Sequence, residues 1–303
     1  MKTMGNNGKS IHEQLAGEIP RIAIAGASGR VGAVLVSSLR NDPVEIVALT
    51  RNPDTGRFPN GVTLVGVDFA DPSSLLAALG GADRLFLAHG TSAQQAAHEI
   101  ALIDAAVAAG VRHIVKLSVM GPASRLHPFD WHMEVEAHLA RQDIGYSLLR
   151  PSSFVDILAR AGAAVAEGSW GGAAGNGRVN LIDTRDVAEA ARIALLDVAH
   201  IDSQRAYHLT GPATVSMMEV ADELSRLLGK TIVYQHRPPE NHREILIGSG
   251  VSELTADVLL GIDRLFRESV LAETTNTVTD LTGKAPRSVN AWLSENITAF
   301  QKR

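Results

Sequence analysis

Cysteine is absent from the 303 residues. That excludes disulfides, thiolate nucleophiles and Cys-ligated zinc, and it fits a reducing compartment. Neither sign of charge is concentrated. The formal net charge is -5, and Lys and Arg are scattered, so nothing resembles a basic nucleic-acid-binding face. Long apolar runs are missing too: none approaches the roughly 20 residues of a membrane span. The opening "MKTMGNNGKSIHEQLAGEIP" is polar and lacks the apolar centre of a signal peptide. Residues 1–19 read as a mobile tail, and the expectation is a soluble, cytoplasmic protein without nucleic-acid or membrane partners. The eleven histidines form no zinc-like cluster; His236 and His242 lie in a polar stretch with no repeated spacing to carboxylates. No metal is expected.

What is present is a globular composition, 45% hydrophobic, enough for a substantial core. From residue 21, apolar strand-like runs alternate with helical patterns. "RIAIA" precedes "RVGAVLVSSLR", "VTLVGVDF" precedes "PSSLLAAL", and "DRLFLAH" precedes "SAQQAAHEIALIDAAVAAG". "HIVKLSV", "MEVEAHLARQ" and "YSLLR" follow. This alternation predicts an α/β fold with a doubly wound parallel sheet covered on both faces. After Arg150-Pro151 the pattern loosens. A helix "FVDILARAGAAVA", a glycine-rich loop "GSWGGAAGNGR", a strand "VNLI" and a helix "TRDVAEAARIALLD" follow, with Thr184 as N-cap. Beyond residue 212 the chain reads mostly helical, with one strand at "TIVYQ". The expected plan is a nucleotide-binding core over 20–150, an interleaved segment over 151–211 and a small C-terminal substrate lobe over 212–303.

The turn Gly26-Ala27-Ser28-Gly29-Arg30-Val31-Gly32 joins the first strand to the first helix with the spacing G-x-x-G-x-x-G. It is a variant of the usual dinucleotide spacing. Glycines permit the tight turn and close backbone approach to a pyrophosphate, and the helix N-terminus offers N–H groups and a favourable dipole. The alternative is a merely structural tight turn. An NAD site places Asp or Glu about 20 residues further on, at the ribose hydroxyls. Here Arg51 lies 19 residues past Gly32, in "VALTRNP". A guanidinium suits a 2′-phosphate, so the pattern favours NADP(H) over NAD(H), with Arg30 closing on the same phosphate. The competing reading leaves Arg51 solvated at a strand end. Asp68 ends the third strand and is placed to accept from an adenine amino group, with Phe69 against the ring. Asp71, before Pro72, reads as a helix start. His89 and Gly90, ending the fourth strand, face the cofactor ribose or simply form a turn.

Together "GASGRVG", "LTRNP", "GVDFADPSSLLAALGGADRLFLA", "HIVKLSV", "HMEVEAHLARQDIGYSLLRPSSF", "LIDTRDVAEAA" and "LTGKAPRSVNAWLSEN" resemble the NmrA-like family of atypical short-chain dehydrogenases/reductases. The resemblance implies an NADPH-binding Rossmann core and a small substrate lobe, not one activity. Its members include quinone and azo-dye reductases, natural-product reductases and redox-sensing regulators. Typical short-chain dehydrogenases use a Tyr-x-x-x-Lys pair, in which Lys lowers the Tyr pKa. None of Tyr146, Tyr207 and Tyr234 has Lys four residues later. Against family patterns the lysine-like position falls on His132, and the place four residues before it is Pro128. His132 is thus the candidate acid; the alternative is an exposed histidine paired with Glu136. Ser118 matches the usual catalytic serine and either orients a substrate carbonyl or lines the cofactor. Pro151 to Phe154 should pass the nicotinamide, and Ile157 stands where many relatives have Asn. Trp131, Phe154 and Trp170 line an aromatic pocket or pack the interior. Asp186 reads as structural.

These residues lead to an NADPH-dependent reductase of a small, cyclic or aromatic electrophile: a quinone, imine, enone or carbonyl, in natural-product metabolism. A nicotinamide donor carries the chemistry, so a missing tyrosine is not fatal. The alternatives are a non-catalytic redox sensor with a protein partner and a redox-neutral isomerase or cyclase. Either a monomer or a homodimer is compatible with the sequence.

Overall fold

The computed structural model describes residues 19–52, 58–122 and 127–301. The expected tail, up to residue 18, lies outside the described residues. The strands in chain order are β1 (Arg21–Ala25), β2 (Glu45–Thr50), β3 (Val62–Gly66), β4 (Arg84–Leu87), β5 (His113–Leu117), β6 (Gly145–Pro151), β7 (Ser153–Phe154), β8 (Ser169–Gly172), β9 (Val179–Ile182), β10 (Gln204–Leu209), β11 (Thr214–Val215) and β12 (Val233–His236). The helices are α1 (Arg30–Leu39), α2 (Pro72–Leu79), α3 (Gln95–Ala108), α4 (Phe129–Leu139), α5 (Gly162–Ala166), α6 (Thr184–Leu196), α7 (Met217–Leu228), α8 (Pro239–Gly248), α9 (Glu253–Arg267), α10 (Thr277–Thr282) and α11 (Val289–Glu295).

Seven strands make one sheet in the order β10-β6-β5-β4-β1-β2-β3. β1 pairs in parallel with β2, as Ile22 opposite Ile46, and with β4, as Ile24 opposite Phe86. β2 with β3 and β4 with β5 are likewise parallel. The central strands are the continuous apolar runs, and Ile22, Ala23, Val47, Leu85, Phe86, Ile114 and Val115 are fully buried, as coverage of both faces requires. β3 is the edge strand and is accordingly half-exposed. Strand order reverses at β1, which lies between β2 and β4. This is the point where open α/β sheets bind their ligands.

The chain divides into two compact units that interleave. The first holds the residues up to Leu117, Val135–Leu148 and Ala188–Ala206. The second holds Ser118–Glu134, Leu149–Val187 and the chain from Tyr207 onward. In the first unit the buried Lys116 on β5 is neutralised by Glu99 of α3 at 2.9 Å, both side chains fully enclosed. Arg192 of α6 grips Asp42 through both carboxylate oxygens.

The second unit has its own apolar core, in which Leu224 of α7, Phe266 of α9, Leu293 of α11 and Phe300 meet Val155, Leu158 and Val165. α7 is started by a reciprocal Ser216–Glu219 capping box and stopped by left-handed Gly229. The glycine-rich loop is glycine-rich because it packs closely: a Cβ on Gly177 would sit 1.9 Å from the Phe266 carbonyl oxygen. Two local expectations are corrected. Asp183, not Thr184, caps α6, its Oδ1 accepting from Arg185 N at 2.8 Å, while the Thr184 hydroxyl donates to Asp156 at 2.6 Å. The helix expected from Phe154 to Ala166 is split into a 3-10 segment, Val155–Ala161, and the short α5. The break falls at Gly162, whose backbone lies against the Ala299 carbonyl, with room for no Cβ (2.2 Å).

Candidate functional site

The site is built from loops at the carboxyl ends of β1, β2, β3 and β4, all within the first unit. β1 runs into Gly26, which takes φ +76°. Its Cβ position lies 2.7 Å from the Ala88 carbonyl oxygen, at the end of β4, so the turn needs glycine twice over. The turn is closed by Gly29 N donating to Gly26 O at 2.8 Å. Gly29 then serves as the extended N-cap of α1, with no side chain over the helix end and no carboxylate in the first turn. The third glycine does a separate job. A Cβ on Gly32 would fall 2.1 Å from Gly26 O, so only glycine lets α1 lie against the turn.

These elements enclose a cavity of about 840 Å³. Its floor is Gly26, Ser28 and Gly29, and its walls include Arg51 and Asn52 after β2, Phe69 after β3, and His89 and Gly90 after β4. His98, in the first turn of α3, completes one wall. The size suits half of a dinucleotide or more. The glycine positions, where any Cβ would fill the cradle, fit a pyrophosphate approaching the N-terminus of α1. Among the described residues no group of three or more metal-ligating side chains occurs, and no helix is long and apolar enough to cross a membrane.

The residues expected at the site are distributed as follows. Gly26, Ser28, Gly29, Arg51, Phe69, His89 and Gly90 line the cavity. Arg30 begins α1 with its side chain exposed; Val31 and Gly32 are buried in the packing of α1. Asp68 does not line the cavity: its Oδ1 accepts from Ala70 N at 2.9 Å within its own turn. Asp71 caps α2 by accepting from Ser73 N, and the Ser73 contacts hold its carboxyl below the usual range. Ser118, His132, Pro151 and Phe154 belong to the second unit. Ser118 is buried, and its N–H donates to Leu149 O at 2.7 Å, so the chain after β5 continues alongside β6. His132 is half-buried in the first turn of α4, its N–H bonded to Pro128 O. Pro151 ends β6 and Phe154 ends β7.

The aromatic candidates have packing partners. His127 stacks on Trp131 at 4.3 Å, and Trp170 meets Tyr234 edge-on at 4.9 Å. Asp186, read as structural, accepts from Arg287 N at 2.7 Å and pairs with its guanidinium; burial raises its carboxyl pKa.

His98 went unread in the sequence. The usable signal was position: the helix after the fourth strand aims its first turn at the switch point, so a polar residue there faces the crevice. His98 lies 3.0 Å from His89 Nε2 through Nδ1, and Phe69 stacks on its ring at 4.4 Å. Burial, then the neighbouring His89 and Arg51, push its pKa below the ordinary imidazole value.

Comparison with known proteins gives a consistent picture. The model of the NmrA-like family matches residues 19–280. The NAD(P)H azoreductase of Xenophilus azovorans is 30% identical over 284 residues, 92% of this chain and 99% of that protein. Quinone oxidoreductase 2 of Escherichia coli (strain K12) is 32% identical over 269 residues, 86% of this chain and 93% of its own. The crystal structure of the NADPH-dependent quinone oxidoreductase from Escherichia coli complexed with NADPH matches with a TM-score of 0.85 at 29% identity, covering 91% of this chain and 99% of that one.

Proposed function

The chain belongs to the NmrA-like family, and on that premise we propose that it is an NADPH-dependent reductase acting on a small electrophilic metabolite, of the quinone, imine, enone or carbonyl type. The observation that carries this is the glycine-floored cavity at the β1–β4 switch point with Arg51 at its rim. The relatives named NAD(P)H azoreductase and quinone oxidoreductase support the reductase class.

In this reading the Gly26–Gly32 turn receives the pyrophosphate through backbone N–H groups at the start of α1. Arg51 takes the 2′-phosphate, assisted by Arg30. Phe69, His89 and Gly90 flank the adenosine. When bound, the reduced nicotinamide supplies the hydride. To Ser118, Pro151 and Phe154 we assign contacts in the reduction step and to His132 the proton; a solvent proton suffices for acceptors as electrophilic as a quinone. The protein's own share is orientation and exclusion of water.

The test is protein-dependent loss of NADPH absorbance against quinones, enones, iminium ions and aldehydes, after saturation is established by fluorescence titration. Turnover with one class names the acceptor chemistry. Tight binding without turnover across the panel defeats the reductase reading and favours a cofactor sensor or a redox-neutral enzyme. His132→Ala separates the two proton sources: a kcat loss of about a hundredfold is expected if the imidazole donates, and an unchanged kcat assigns the proton to water.

A further inference from the structure

The reading above gives His98 no role, yet the hydrogen bonds that join it to His89 fix the protons of the pair. His89 Nδ1 lies 2.6 Å from Gly90 O. A carbonyl oxygen only accepts, so His89 carries its proton on Nδ1 and offers Nε2 as an acceptor. His98 Nδ1, 3.0 Å from that Nε2, must then donate. The neutral pair therefore presents one remaining lone pair, on His98 Nε2. Phe69 holds both rings, stacked on His98 with 16° between planes and edge-on to His89 at 5.7 Å.

This chain of bonds decides where a proton can enter. Added at His98 Nε2, it leaves the bond to His89 intact and makes it charge-assisted. A second proton, on His89, would abolish that bond and set two cations 3.0 Å apart. The pair takes up one proton through its outer nitrogen, His98 Nε2, and the bond to His89 shares the charge between the two rings. The charged groups that bear on it are His89 beyond β4 and Arg51 beyond β2. Asp68, beside Phe69, is engaged in its own turn, and Glu99, next along α3, is buried against Lys116. A phosphate monoester near neutral pH carries between one and a half and two negative charges, roughly. Arg51, with Arg30 assisting, at most balances that charge. Without an anion, Arg51 opposes protonation of His98; with the phosphate bound that opposition is removed and the imidazolium gains an anionic partner.

We propose that His98, oriented by His89, is a specificity-determining residue that takes up a proton when a 2′-phosphorylated dinucleotide binds and neutralises that phosphate together with Arg51. The inference rests on the NADP(H) reading of the cavity. NADPH affinity then rises as pH falls, while NADH, which has a hydroxyl at that place, gains nothing from the same proton.

The experiment is fluorescence titration of the whole chain with NADPH and with NADH between about pH 8 and pH 6, for the wild type and His98→Gln. The phosphate's own ionisation is common to both proteins and cancels in their ratio. The wild-type advantage over the variant for NADPH should grow about three- to tenfold across that range, the limit for one proton being tenfold per pH unit. For NADH it should stay flat. Calorimetry of the wild type near pH 7 in two buffers of different ionisation enthalpy should show net proton uptake with NADPH and none with NADH. An equal, pH-independent loss for both nucleotides would overturn the proposal, since His98 would then read the shared adenosine. Zero proton uptake by the wild type overturns it even if the variant does not fold. A wild type that binds neither nucleotide overturns the cofactor reading itself, and this inference with it.

Discussion

Replacing Gly32 with alanine tests the packing logic of the cradle directly. The added Cβ would start 2.1 Å from Gly26 O, 2.9 Å from Gly26 C and 3.0 Å from Ala27 Cα. All three atoms are main chain, so no side chain can rotate away. The contact to the oxygen must open to at least 3.0 Å, which displaces α1 or the turn by about 0.9 Å. α1 resists, because Val31, Leu35, Val36 and Leu39 are buried behind it. The same oxygen accepts the Gly29 N–H, so the strain falls on the bond that closes the turn. Overpacking of this kind costs about 1–3 kcal/mol, and a main-chain clash belongs at the upper end. At roughly 2–4 °C per kcal/mol the melting temperature should fall by about 6–12 °C. Shifting the turn should also weaken NADPH binding at least about tenfold, since N–H groups aimed at a phosphate tolerate little displacement. Calorimetric melting and fluorescence titration supply the two readouts. Gly90→Ala is the stability control: its Cβ meets nothing within 4 Å, and its melting should change by under about 0.5 kcal/mol. A Gly32→Ala protein that melts with the wild type and binds NADPH equally would refute the reasoning.

Three further substitutions have defined outcomes. His113, buried on β5 and bonded to Ser147 Oγ at 3.0 Å, has its pKa lowered to about 4 by burial, against 6.5 for an ordinary imidazole. The unfolded chain then binds a proton that the fold refuses, so stability is intact above pH 6.5 and falls as pH drops towards 4, by about 3 kcal/mol at the limit; urea melts of His113→Gln should show a shallower acid slope, and parallel curves would count against this. Tyr234 Oη accepts from Ala174 N at 3.1 Å, and burial pushes its phenol up to about 12. Tyr234→Phe should cost about 1–3 kcal/mol by orphaning that N–H and should remove the step near pH 12 from an alkaline absorbance titration. Asp186→Ala strips Arg287 of both its contacts, from backbone and guanidinium, and should lower stability by about 2 kcal/mol with little change in NADPH affinity; a large affinity loss at unchanged melting would contradict its structural role.

The cradle was legible because its determinants are local. Gly26, Gly29 and Gly32 lie within one turn, the strand before them is apolar throughout, and Arg51 sits one strand–helix–strand unit away, so spacing alone carries the pattern. The sheet was legible for the same reason: alternation of period and length needs no partner. What failed were features whose cause lies far along the chain. The helix expected through Gly162 breaks because the backbone there approaches Ala299, 137 residues later, at a place where a Cβ would be 2.2 Å from an oxygen. The cap of α6 moved by one residue because Thr184 is claimed by Asp156, leaving Asp183 to bond the helix end.

The same division explains two polar features of α3 that the sequence hid. Lys116 stands inside the apolar run "HIVKLSV" of a central strand, where an unpaired ammonium would be intolerable. That alone demanded a carboxylate nearby, but nothing local says which. The partner, Glu99, lies in "AAHEIALIDAA", on a helix whose own pattern already looks complete. Its neighbour His98 has the opposite fate: one step round the helix, about 100°, takes the chain from a side chain fully enclosed against β5 to one lining the cavity with His89 and Arg51. Helical pitch therefore ties the two. The first turn of α3 thus sets Glu99 against Lys116 and His98 in the cavity wall that also carries Arg51.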